Sequence, residues 1–112
     1  MIGKELLADF RGCDEKTLQD VKTLESIITK SVEAVNANIL DKKFHKFASG
    51  GMGVTGYVLL SESHVSIHTY PELGYTAIDI FTCGDLDPEK IFENIKDNLP
   101  HGSVEVKRIE RG

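Results

Sequence analysis

The chain has 112 residues, which is the size of one domain, and a formal net charge of −5. This charge argues against a nucleic-acid partner and against an anionic membrane surface, because both need clustered Lys and Arg. No apolar run approaches the ~20 residues of a membrane span, and the early acids are not typical of a secretory signal. Cys13 and Cys83 are too few for a disulfide framework, so we expect a cytoplasmic protein with reduced thiols.

In chain order, the sequence predicts a strand, a helix, four strands, a second helix and a last strand. Asp14 is a candidate N-cap, and apolar residues then recur at three- and four-residue spacing from 15 to about 36, as in one amphipathic helix. Asp87-Pro88 opens the second helix. The predicted strands cover 4–11, 39–47, 54–60, 64–70, 75–83 and 103–109.

Two helices cannot cover both faces of so large a sheet. We therefore predict an α+β fold, a two-layer sandwich in which a largely antiparallel sheet carries both helices on one face. The other face of the sheet is then either open or buried against a second copy of the chain.

An unusual polar segment joins the third and fourth predicted strands, where the chain reads SESH over residues 61–64. A tight hairpin turn commonly uses Asn-Gly or Asp-Gly instead. Strand alternation places His64 and His68 on one face, and it places Asp79 and Cys83 on one face of the next strand. A polar face with a nucleophile, opposite an apolar face, is what a site built on a sheet needs.

The run SESHVSIHTYPELGYTAIDIFTCG (61–84), together with FHKF (44–47), resembles the bacterial and archaeal S-adenosylmethionine decarboxylase proenzyme family. The resemblance covers most of the chain, from ELLADFRGCD (5–14) to the closing Glu110-Arg111-Gly112. The Ser-Gly-Gly-Met-Gly loop (49–53) is longer than the Pro-x-Gly version usual in this family.

This resemblance implies a single autoprocessing domain, 1–112, that breaks its own Glu62–Ser63 bond into a β chain, 1–62, and an α chain, 63–112. The Ser63 hydroxyl attacks the Glu62 carbonyl to give an ester, which is then eliminated. The resulting dehydroalanine loses ammonia and becomes a pyruvoyl group. That ketone forms a Schiff base with S-adenosylmethionine and accepts the electron pair released with carbon dioxide. The product feeds spermidine biosynthesis.

The resemblance also implies individual roles. Cys83 is the proton donor in turnover, His68 is the base during processing, and Thr55 assists it. Phe47 is the aromatic residue that stacks on adenine, and Glu72 binds the ribose hydroxyls. Family members of this type form a homodimer of cleaved protomers with active sites near the interface. The four histidines are not at dependable metal-ligand spacing, so no metal is expected.

Three alternatives remain open on the sequence alone. A pyruvoyl-dependent arginine or ornithine decarboxylase is one, because the electron sink does not read the side chain and Glu72 could bind a guanidinium. A binding or regulatory subunit that never processes would keep an intact chain. A thiol enzyme using Cys83 with a histidine would stay active after Ser63→Ala. Taken singly, each residue also has an ordinary structural explanation, and only their joint pattern favours the enzyme.

Overall fold

Six strands form one sheet in the order β2-β3-β4-β5-β1-β6, and all neighbouring strands are antiparallel. The structure is a computed structural model that describes residues 1–112. The predicted two-layer α+β fold is confirmed. The elements are β1 (Gly3–Arg11), α1 (Glu15–Gln19), α2 (Val21–Glu33), β2 (Ile39–Lys46), β3 (Val54–Leu60), β4 (His64–Tyr70), a 3-10 turn (Pro71–Leu73), β5 (Tyr75–Cys83), α3 (Pro88–Asn98) and β6 (Ser103–Arg111).

The first predicted helix is divided into two in the structure, so the fold has three α-helices and the expectation of two was wrong. Asp20 adopts an extended backbone, and its side chain accepts a hydrogen bond from the Thr23 N–H at 3.2 Å. Asp14 caps α1 in the same way through the Thr17 N–H at 3.0 Å. The break arises because aspartate satisfies the free N–H groups of a helix start better than it continues a helix.

One face of the sheet is buried under the helices. Alternate strand residues such as Leu6, Ile67 and Ile80 pack there with Ile28 and Ile91, and all five are at most 1% exposed. Each such side chain stabilises the fold by about 1.5–3 kcal/mol relative to an exposed position. No helix in the structure has the length and apolar character needed to cross a membrane.

The other face of the sheet is not covered, as the sequence predicted. Apolar side chains stay exposed on it, among them Tyr57, Leu59, Tyr70 and Ile109. Several large apolar groups on one open sheet face are typical of an interaction surface.

Antiparallel pairing places the connections at two ends of the sheet. We call one the hairpin end; it comprises the β3–β4 turn and the segment from Cys83 to Leu86. We call the other the loop end; it comprises the loop 47–53, the Pro71–Leu73 turn and the strand residues beside them. The predicted site residues divide between these two ends.

Candidate active site

The bond predicted to break lies in a two-residue turn at the hairpin end. The Leu60 N–H donates to the Ser63 carbonyl at 2.9 Å, which leaves Ser61 and Glu62 as the central turn residues. Neither has a positive φ, so this is not one of the primed turns that two-residue hairpins favour. Ser61 and Glu62 are exposed, whereas Ser63 is only 7% exposed and shares the covered face with Val65.

The Ser63 hydroxyl takes a backbone hydrogen bond that a regular ladder would give to another group. The Cys83 N–H donates to Ser63 Oγ at 3.2 Å. Continuing the His64–Phe81 pairing places Cys83 opposite Glu62, and the Ser63 backbone faces β3. The Cys83 N–H would therefore meet the Glu62 carbonyl in an unbroken ladder. Its donation to Ser63 Oγ holds that oxygen beside the Glu62–Ser63 peptide bond.

A cavity of about 460 Å³ opens beside this turn. Its size is within the range of small-molecule sites. The cavity brings the Ser61–Ser63 segment together with Cys83 and leaves open space beside them. The remaining lining was not predicted, because the connection from α2 to β2 carries no motif; it consists of Val35, Asn36, Ala37, Asn38, Asp85 and Leu86.

Thr55 and His68 form a pair on the open face towards the loop end. They lie directly opposite each other on β3 and β4, and Thr55 Oγ1 is 3.1 Å from His68 Nδ1. His68 is exposed, so its other ring nitrogen is free to meet a group brought from outside the chain. The structure thus brings together the two residues that were predicted to act jointly.

Phe47 and Glu72 flank the glycine-rich loop. The Phe47 N–H donates to the Gly53 carbonyl at 2.9 Å, which closes the loop, and Phe47 is 48% exposed. The Glu72 carboxylate lies against Gly51 so closely that a Cβ at position 51 would overlap its Oε2 atom. Gln19 of α1 fixes the loop from below, with its Nε2 donating to the Gly51 carbonyl at 3.1 Å.

Within a single chain, the predicted residues Ser63 and Cys83 lie far from Thr55 and His68. Ser63 and His68 are five residues apart on β4, a separation of roughly 16 Å along the strand. They also point to opposite faces of the sheet, since Ser63 is on the covered face and His68 on the open one. Ser63 contacts Cys83, and Thr55 contacts His68, but no contact connects these pairs.

An acidic cluster on the open face was missed by the sequence analysis. A carboxylate oxygen of Glu5, a carboxylate oxygen of Asp79 and a ring nitrogen of His64 lie within 4.8 Å of one another. The Arg111 Nη1 atom is 3.7 Å from Glu5 Oε1. Burial raises the pKa of Glu5, and the neighbouring Asp79 raises it further. Two carboxyl oxygens there, Glu5 Oε2 and Asp79 Oδ1, have no hydrogen-bond partner. No local motif signals the cluster, because strand pairing alone brings these residues together.

The chain is similar to known proteins over nearly its full length. The sequence model of the S-adenosylmethionine decarboxylase family matches residues 4–112. A protein of Caldanaerobacter subterraneus subsp. tengcongensis is 48% identical over 112 residues, which is 99% of this chain and 89% of that protein. One of Thermotoga petrophila is 44% identical over 99% of this chain and 85% of its own length. Both are named S-adenosylmethionine decarboxylase proenzyme.

A solved structure is similar as well. The crystal structure of the adenosylmethionine decarboxylase from Aquifex aeolicus VF5 superposes with a TM-score of 0.87 at 32% sequence identity. The match covers 99% of this chain and 91% of that one. The fold and the sequence therefore point to the same group of proteins.

Proposed function

The chain belongs to the S-adenosylmethionine decarboxylase family, and from that premise we propose that it decarboxylates S-adenosylmethionine with a pyruvoyl group made from its own Ser63. The observation that carries the proposal is the hydrogen bond from the Cys83 N–H to Ser63 Oγ. It fixes the hydroxyl beside the Glu62–Ser63 peptide bond, at a turn that borders a cavity.

Processing begins at Ser63. Its Oγ attacks the Glu62 carbonyl carbon, the C–N bond breaks, and the hydroxyl proton ends on the Ser63 nitrogen. Loss of the Cα proton then eliminates the ester as the Glu62 carboxylate. Addition of water and loss of ammonia convert the remaining dehydroalanine to a pyruvoyl group. The two products are residues 1–62 and a ketone-blocked 63–112.

The pyruvoyl group supplies an electrophilic carbonyl that takes up the substrate amine and accepts the electron pair left by carbon dioxide. Cys83 is held next to that position by its own backbone contact with Ser63, and its side chain is partly exposed at the cavity. A thiol there is placed to return a proton to the substrate carbon. Cys83 therefore directs the proton to the substrate carbon and not to the pyruvoyl carbon.

Substrate recognition is assigned to the loop end. The exposed Phe47 ring offers a flat apolar surface for adenine. The exposed Glu72 carboxylate, which lies against Gly51, offers two acceptor oxygens for the ribose hydroxyls. The net charge of −5 is compatible with the sulfonium cation of S-adenosylmethionine.

We assign the active unit to a homodimer in which two chains complete each site. Ser63 and Cys83 are separated from Thr55 and His68 within one chain, and the open face carries exposed apolar side chains. A second copy laid on this face covers those side chains. It also brings the loop end of one chain to the hairpin end of the other, where His68 serves as base for the partner chain.

The intact mass of the purified protein tests the processing reaction. We expect two fragments, the larger ending at Glu62 and the smaller lighter than the 63–112 peptide by one ammonia. Their sum equals the mass of the uncut chain plus one water minus one ammonia. Ser63→Ala should give a single uncut chain without activity, and turnover by that variant would refute the proposal.

Mixing two inactive chains tests the shared site. Chains with Ser63→Ala and chains with His68→Ala are expressed separately and together. In a mixed dimer, one site combines the intact Ser63 of one chain with the intact His68 of the other. We expect cleavage of the His68→Ala chain only when the two are expressed together, along with decarboxylase activity. A His68→Ala chain that stays uncut in the mixture would contradict the shared site.

A further inference from the structure

A buried hydroxyl beside the proposed cleavage site takes no part in the steps proposed for processing and turnover. Thr82 is 1% exposed, yet its Oγ1 has no hydrogen-bond partner. Buried hydroxyls are nearly always paired, because an unpaired one costs free energy in the folded state. Thr76 lies on the same strand and the same face, is 0% exposed, and donates from Oγ1 to Cys13 Sγ at 3.8 Å. The unpaired state of Thr82 is therefore not a general property of this strand.

The strand register places Thr82 directly across from Ser63. His64 pairs with Phe81, so the next position along the ladder sets Ser63 opposite Thr82 on the covered face. The Ser63 backbone bonds to β3, which makes this a non-hydrogen-bonded pair, the type in which side chains are closer. Directly opposed side chains have Cβ atoms about 4.5–5.5 Å apart. The free hydroxyl thus borders the side chain that attacks.

We propose that Thr82 is a catalytic residue of self-cleavage, donating a hydrogen bond to the oxyanion formed from the Glu62 carbonyl; this rests on the proposed processing at Ser63. As Ser63 Oγ bonds to the Glu62 carbon, the carbonyl electron pair moves onto its oxygen. The Thr82 hydroxyl donates to that oxygen and keeps its proton. The electron pair on this oxygen then re-forms the C=O bond of the new ester as the C–N bond breaks, and the Ser63 hydroxyl proton ends on the departing nitrogen.

This role explains why the hydroxyl is unpaired before the reaction. A donor that is satisfied only in the transition state lowers the barrier, whereas one already paired in the ground state does not. Removing one oxyanion donor typically slows a reaction by about 100- to 1,000-fold. The same removal should stabilise the uncut chain, because it deletes an unpaired buried group.

The test follows self-cleavage in Thr82→Val, Thr82→Ser and the matched control Thr76→Val. Cleaved and uncut chains are quantified by mass during expression and after purification. We expect cleavage by Thr82→Val to be slower by about 100-fold or more. Thr82→Ser keeps a hydroxyl and should cleave close to the natural rate, as should Thr76→Val. Thermal unfolding of each protein is measured in the uncut Ser63→Ala background, where we expect Thr82→Val to melt at a higher temperature.

The outcomes separate this inference from the proposed function. If the natural chain cleaves itself and Thr82→Val does so at the same rate, only the role of Thr82 is overturned. Absence of cleavage at Glu62–Ser63 in the natural chain overturns the proposed processing itself. A Thr82→Ser chain that cleaves as slowly as Thr82→Val overturns the oxyanion role. A lowered melting temperature in Thr82→Val would then identify a packing defect as the cause of the slow cleavage.

Discussion

The two ends of the sheet hold their predicted functional side chains in different ways. At the hairpin end, Ser63 is buried and its hydroxyl is fixed by the backbone of Cys83. At the loop end, His68 and Phe47 are exposed, and the hydrogen bond of the His68 side chain is to Thr55 across the ladder. Bond breaking at a peptide requires a fixed geometry, whereas recognition groups need access to a ligand. We infer that the hairpin end fixes the bond to be broken, and that the exposed groups of the loop end act on a partner chain or on a ligand.

The largest effect on turnover should come from the thiol at the hairpin end. We expect Cys83→Ala to lower kcat by about 100- to 10,000-fold, which is the usual contribution of a positioned proton donor. If the proton goes to the pyruvoyl carbon instead, the substrate nitrogen should stay there as alanine after hydrolysis, the rest of the substrate should leave as an aldehyde, and the enzyme should be inactivated progressively. Carbon dioxide release and the mass of the smaller fragment measure both effects.

The other cysteine provides the control for this thiol. Cys13 is buried, and burial raises the pKa of its thiol, so it does not act as an accessible acid. Cys13→Ala should keep natural turnover and a stable pyruvoyl mass. Equal losses in the two variants, or unchanged turnover in Cys83→Ala, would contradict the proton-donor assignment and weaken the contrast between the ends.

A smaller effect, confined to binding, is expected at the loop end. Glu72→Gln should raise KM for S-adenosylmethionine by about 10- to 100-fold, because hydrogen bonds to a charged group contribute about 1.5–3 kcal/mol. Gly51→Ala should act through the same carboxylate, since the added methyl would lie in its place, 2.5 Å from the Cδ atom. Steady-state kinetics should show kcat changing less than KM in both.

A double substitution distinguishes an effect of Gly51→Ala through Glu72 from general damage to the loop. Gly51→Ala should have no further effect on KM once Glu72 is already glutamine, because its target has been removed. Asp97→Asn, an exposed change on α3, should leave KM unchanged. Additive effects of Gly51→Ala and Glu72→Gln would show that Gly51 does not act through Glu72.

Much of the fold could be predicted from local signals in the sequence. The strands 54–60, 64–70 and 75–83 were predicted with the bounds that the structure has, because β-branched runs there are bounded by turn residues. The helix break at Asp20 was missed, since the apolar stripe continues through it from Leu18 to Leu24. A side-chain cap can interrupt a helix without interrupting its apolar face.

The candidate site was foreseen as a set of residues and not as an arrangement. The resemblance named Ser63, Cys83 and His68, but it did not show that His68 and Ser63 lie on opposite faces. That separation follows from strand alternation over an odd number of positions. The free hydroxyl of Thr82, in contrast, could not be foreseen, because an unpaired group is a property of its surroundings and not of its own residue type.

The smallest predicted effect concerns the acidic cluster on the open face, close to the hairpin end. Burial and Asp79 raise the pKa of Glu5, and its side chain is 16% exposed. The folded state therefore binds the proton of the Glu5 carboxyl group more tightly than the unfolded state does. The stabilisation is complete below the ordinary pKa of 4.5 and is lost as the pH rises through the higher folded value. At neutral pH, Glu5→Gln should melt at a higher temperature than the parent chain.

This difference is best measured between pH 4 and pH 7 in the uncut Ser63→Ala background, so that both proteins are one species. The gap in melting temperature should widen towards neutral pH, because only the parent chain must ionise Glu5. Glu110→Gln, an exposed acid on β6, should give no such widening. A Glu5→Gln chain that is less stable at pH 7 would mean that the ion pair with Arg111 outweighs the repulsion from Asp79. The ionised Glu5 would then stabilise the fold through Arg111 more than Asp79 destabilises it.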